Sequence, residues 1–175
     1  LFPQAGADLR LWAAADLRPG TGSNTVFAMG DSDPALWPGF RQPEALGGLL
    51  TNSDSLVANA LADALPRAAV HAAGAQAVQP LQLHAGGSLL GEGLSTWVLP
   101  KPASVTAGLD IVNLRLLGQN LGADDRTEVS AGRNLLAGLQ GLVELGGPGL
   151  LDVRAGQDVD LGSSGGLVTI GNRKS

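Results

Sequence analysis

Toward its C-terminus the chain alternates apolar and polar residues. Leu151, Val153 and Ala155 are separated by Asp152 and Arg154, and Val159 and Leu161 by Asp160. A period of two is the mark of a half-buried strand. Between the two runs lies Ala155-Gly156, and after Gly162-Ser163-Ser164-Gly165-Gly166 comes a third strand candidate, Leu167–Ile170. The phrase at Val153–Val159 recurs as Val105-Thr106-Ala107-Gly108-Leu109-Asp110-Ile111 and Val129-Ser130-Ala131-Gly132-Arg133-Asn134-Leu135, so its starts fall at 105, 129 and 153, a constant step. Looser copies begin at Leu83, slightly less than one step before Val105, and at Leu11, three full steps before Leu83. A fixed period of this size predicts stacked units. Strand, small-residue corner, strand, loop and strand, repeated, predict an all-β chain wound into a parallel β-helix (solenoid), with coils ~4.8 Å apart. Val105, Ile111, Val129, Leu135, Val153 and Val159 are expected to point inward. Gly108, Gly132 and Gly156 are expected at corners where a Cβ would crowd the backbone. The length corresponds to about seven coils' worth of chain.

Residues 18–80 interrupt the series. Pro19, Pro34, Pro38 and Pro43 fall among glycines, Thr25–Met29 reads as a strand, and Asp31-Ser32-Asp33-Pro34 as a turn. Residues 53–65 carry the helical spacing Leu56, Ala60, Leu61, Ala64, Leu65, with Ser53 or Ser55 as cap and Pro66 as stop. The expectation is one β-helix segment over 1–175, with 18–80 as a lateral excursion packed on it and a short helix at 55–65.

Composition narrows the function. Hydrophobic residues are 44% of the chain, aromatics 3%, and glycines 26 of 175, which suits short strands and tight turns. The net charge of −5, with 11 scattered Lys and Arg, lacks the basic stripe of a nucleic-acid binder. There is no Cys, hence no thiolate chemistry or Cys-type zinc site. No apolar run is long enough for a transmembrane helix. The opening Leu1-Phe2-Pro3-Gln4 reads as an internal piece or a processed product of something longer.

In their order, Lys101–Ile111, Gln119-Asn120-Leu121, Glu128–Leu135 and Gly147–Asn172 resemble the phrasing of filamentous haemagglutinin-like large exoproteins, the passengers of two-partner secretion. Asp31-Ser32-Asp33-Pro34-Ala35-Leu36-Trp37-Pro38 is similar to an excursion in one conserved domain of that group. The resemblance implies a right-handed β-helix, secreted or displayed on the bacterial surface and exported through an outer-membrane pore, which serves as the stalk of an adhesin. Its implied partners are neighbouring coils of the same polypeptide, the pore, and a host or bacterial surface glycan or receptor. It lends no catalytic residue, cofactor or metal ligand.

Several residues invite chemistry. Asp110, Asn134 and Asp158 share one repeat position, with Asp16 and Ser88 at the equivalent places. Stacked, they form a column that either binds Ca²⁺ or caps backbone N–H groups at turns. Asp124-Asp125-Arg126 is the best acidic–basic cluster for a polysaccharide-cleaving enzyme, against the reading of solvated loop charges. Of the two histidines, His71 and His84, the second occupies an outward place. The aromatics, among them Trp12, Trp37 and Trp97, offer either a sugar-stacking platform or a seal between excursion and β-helix; Trp12 is expected beneath the excursion. The functional expectation is a non-enzymatic stalk, with a glycan-binding module in 18–80 as the alternative.

Overall fold

The computed structural model describes residues 9–19, 26–28, 80–93, 95–99 and 101–170. Every regular element among them is a strand, and the strands pair in parallel. They form three sheets. Sheet A orders β1 (Arg10–Ala13), β3 (Leu81–Ala85), β6 (Ala103–Ala107), β9 (Arg126–Ala131) and β12 (Leu150–Ala155). Sheet B orders β4 (Leu89–Leu90), β7 (Ile111–Val112), β10 (Leu135–Leu136) and β13 (Val159–Asp160), with Leu17 bridged to Leu89. Sheet C orders β2 (Val26–Ala28), β5 (Thr96–Leu99), β8 (Arg115–Gln119), β11 (Leu142–Gly146) and β14 (Leu167–Ile170). The chain visits A, B and C in turn before starting the next coil. This is a parallel β-solenoid of about four turns among the described residues. That is fewer than the length divided by the repeat step suggests, because residues 29–79 lie outside the description.

The five copies of the phrase stack in register. Leu11 pairs with Leu83, Leu83 with Val105, Val105 with Val129, and Val129 with Val153. Strand β2 pairs with β5, so the first coil includes its sheet-C strand and extends past the start of the expected excursion at 18. The expected helix at 55–65 and its packing lie outside the described residues.

The interior is a column of mostly aliphatic side chains. Leu83, Val105 and Val129 of sheet A, Leu89, Ile111 and Leu135 of sheet B, and Trp97, Leu116 and Val143 of sheet C are all buried. Each such side chain contributes roughly 1.5–3 kcal/mol on burial. Val153 is half-buried and Val159 is 47% exposed, because among the described residues their coil has a neighbour on one side only. The corner glycines are there for close approach. A Cβ on Gly108 would sit 2.1 Å from the carbonyl oxygen of Gly86, and one on Gly132 2.1 Å from that of Gly108. The first coil carries Ala14 at this place, and its carbonyl is what a Cβ on Gly86 would strike.

The even step of the repeat conceals a shift. The offset from the sheet-A valine or leucine to its sheet-C counterpart is the same in three coils (Leu83 to Trp97, Val129 to Val143, Val153 to Leu167), but from Val105 to Leu116 it is three positions shorter. The shortened corner turns on Asn113, a non-glycine residue at φ 52° whose Oδ1 accepts the N–H of Gly138 at 2.6 Å. Asn tolerates this left-handed conformation better than most residues. The three missing positions return in the loop after β8.

Candidate functional site

The A–B corner holds the column that the repeat predicts. Asp16 Oδ1 accepts the N–H of Ser88 at 2.9 Å, and Ser88 Oγ that of Asp110 at 3.4 Å. Asp110 Oδ1 accepts the N–H of Asn134 at 3.1 Å, and Asn134 Oδ1 that of Asp158 at 3.2 Å. Each side chain thus caps the equivalent backbone N–H one coil further on, as turn residues do within a single loop. Carboxylates alternate with Ser88 and Asn134, so no two acids occupy adjacent coils. Arg133 adds a two-pronged contact, Nε to Asp110 Oδ1 at 2.9 Å and Nη2 to Oδ2. Arg133's hydrogen bonds, with help from the N–H and amide of Asn134, lower the Asp110 pKa to about 2. Asp16 is lowered too, chiefly by the Ser88 N–H. The side-chain oxygens of Asp16, Ser88, Asp110 and Asn134 that a cation would need are engaged with N–H groups. Among the described residues no three of His, Cys, Asp and Glu cluster to hold a metal ion.

Asp124, Asp125 and Arg126 do not form one site. Asp125 Oδ2 accepts the N–H groups of Leu121 and Gly122, both at 2.8 Å, and so closes its own loop. Arg126 reaches instead to Asp152 at 3.2 Å, which Arg154 also holds at 2.5 Å. Asp124 is exposed. A small apolar pocket between the sheets, lined by Ile111, Leu135, Leu142 and Leu161 among others, contains no titratable side chain.

Beside that loop lies a buried polar knot that the pattern of apolar residues gave no reason to expect. Thr127 Oγ1 donates to Asn120 Oδ1 at 2.8 Å, while Asn120 Nδ2 donates to the carbonyls of Asp125 and Leu150, each at 3.3 Å. Asn120 and Thr127 are essentially fully buried. Their mutual bonding removes the desolvation penalty that lone polar groups would carry. It fastens the loop that takes up the three displaced positions. The available signal is the run Gln119-Asn120 directly after the apolar Leu116-Leu117-Gly118.

The aromatics divide differently from expectation. Trp97 is core, 2% exposed, in sheet C. Trp12, expected beneath the excursion, is 68% exposed. It occupies an outward place in β1, and its register partner one coil on is His84. The two rings stack with centroids 5.8 Å apart and planes 9° from parallel. His84 is half-buried, and its Nδ1 lies 2.8 Å from Thr106 Oγ1 on the following coil. His71, Trp37, Phe2 and Phe40 lie outside the described residues, and for Phe27 only the backbone is described.

No helix among the described residues is long and apolar enough to cross a membrane. No protein-family model, no curated protein and no solved structure matches the chain.

Proposed function

We propose that this segment is a rigid spacer, the stalk of a secreted or surface-displayed exoprotein. One observation carries the reading: unbroken register from Leu11 to Val153 is doubled at the corner by a side-chain ladder from Asp16 to Asp158. Backbone ladders and caps together couple each coil to the next, so bending would require many hydrogen bonds to distort at once. Each coil adds ~4.8 Å of length. The resemblance to filamentous haemagglutinin-like exoproteins supports placing such a spacer outside the cell, with an outer-membrane pore as exporter and an adhesive region beyond it. The glycan-binding alternative in 18–80 rests almost wholly on residues outside the described ones. A cleaving enzyme finds no support in Asp124, Asp125 and Arg126.

The test is surface display with an epitope tag beyond the segment. Substituting the outward Gln82, Ser104 and Ser130 together should leave antibody access to the tag unchanged, whereas Val129→Asp should abolish it. Loss of access with the outward triple variant, its circular dichroism unaltered, would overturn the spacer reading.

A further inference from the structure

We infer that residues 29–79 fold back onto the outward face of sheet C and dock there across β5, β8 and β11. The spacer reading neither requires nor supplies this contact.

The observation is burial on the outer side of a wall one chain thick. In sheet C, Trp97, Leu116 and Val143 point into the core. The next residues along, Val98, Leu117 and Glu144, are register partners of one another and point outward. An outward residue of a solenoid strand meets solvent unless something lies over it. Gln82, Ser104 and Ser130 of sheet A and Leu90 and Val112 of sheet B are half-buried, while Leu136 and Asp160 are exposed. Val98, Leu117 and Glu144 are at most 1% exposed. This burial belongs to a single chain, so no second copy is needed to produce it. It fades at β14, where the next register partner, Val168, is half-buried.

Chain length and path name the occupant. The described residues are taken up by the three sheets and their corners. Outside them, 1–8, 20–25 and 171–175 are short pieces, whereas 29–79 is continuous. It starts at the end of β2, the strand that pairs with β5, and leads to β3 in sheet A. The same passage from sheet C to sheet A takes only residues 100–102 between β5 and β6. The first coil thus releases its surplus chain beside the covered face. Three strands ~4.8 Å apart and about five residues long make a patch of roughly 14 by 17 Å. A compact unit of about fifty residues, with a radius of gyration of ~10 Å, is large enough to overlay it.

Composition fits as well. Val98 and Leu117 call for apolar partners, and the segment carries Leu56, Ala60, Leu61, Ala64 and Leu65 at helical spacing. Lys101, 1% exposed at the corner after β5, and the buried Glu144 each require an opposite charge, because ionised side chains are rarely buried alone. The segment holds five acids and two arginines, Arg41 and Arg67, and can supply both signs.

The experiment is hydrogen exchange of the whole chain read by mass spectrometry, with sedimentation velocity alongside. In the wild type, a monomer, amides within 29–79 should exchange at least tenfold more slowly than in an unfolded peptide of the same sequence. Leu117→Asp, which places a charge on the outward face, should abolish that protection while β6 and β9 keep theirs. Ser104→Asp, the corresponding change on sheet A, should leave both unchanged. If Leu117→Asp also exposes β6 and β9, Val98→Thr decides. It keeps the shape but sets a hydroxyl under the cover, and it should speed exchange in 29–79 several-fold with β6 and β9 unaltered. Four results would each overturn the assignment: unprotected amides throughout 29–79 in the wild type, protection there that neither variant alters, an equal rise in 29–79, β6 and β9 with Val98→Thr, or a wild-type dimer that Leu117→Asp splits. The last would make a second copy the cover.

Discussion

Sheets A and C belong to the same coils, yet they are buried differently. In sheet A, β3 and β6 alternate buried and half-buried residues, so one face meets the core and the other faces outward. In sheet C, β5 and β11 are buried at every position, and β8 at every position but its first. A strand covered on one face writes its structure into the sequence as alternation, while a strand covered on both reads as a plain apolar run. Sheet C even tolerates Glu144 at 1% exposure.

This contrast can be broken at its strongest point first. Val129→Asp places a charge in the aliphatic column and should cost at least about 3 kcal/mol. Ser130→Asp, the next residue but on the outward face, should change stability by less than about 0.5 kcal/mol. Thermal or urea melts decide, and equal effects would mean that the register is wrong. Leu117→Ala is the matching probe in sheet C. Leu117 sits one place from the inward Leu116 but is 1% exposed. Its truncation should cost about 2–3 kcal/mol. A silent Leu117→Ala would show that the second face of sheet C carries no packing energy.

The smallest effect concerns the corner that leads out of sheet A. The folded Asp110 holds its proton less tightly than an ordinary carboxyl, at about 2 against 3.8. The stability this supplies is fully present above about pH 4 and is lost as the pH falls toward about 2. Asp110→Asn keeps an oxygen for the Asn134 N–H but does not titrate. Its melting temperature should therefore fall less over that pH window than that of the wild type. Parallel curves would show that the Arg133 pairing does not contribute to folding.

How much of this was legible in the sequence follows from the same contrast. The sheet A and sheet B strands and the corner glycines could be read because Val105, Gly108 and Ile111 recur at one spacing and each has a single structural task. The capping column was visible as shared polarity at one repeat place. Which way its hydrogen bonds run was not, since that depends on stacking. The displacement of β8 was hidden because the positions lost at Asn113 are returned by the loop after Asn120, and the period conserves only the sum. Trp12 was misjudged because an outward tryptophan is normally taken to need a cover. A stacked imidazole on the next coil shields one face of the ring, and this cannot be seen until His84 is known to be its neighbour.

The ladder at the corner also sets rules for how such a chain can grow. Its order is Asp16, Ser88, Asp110, Asn134, Asp158. Tandem duplication of the coil carrying Asn134 would insert another neutral rung and leave every acid separated. Duplicating the coil of Asp110 would set two carboxylates ~4.8 Å apart, a repulsion of about 1 kcal/mol even in water. Neutral coils can therefore be copied freely and acidic ones only together with a neutral companion, so this solenoid lengthens most readily from its asparagine and serine units.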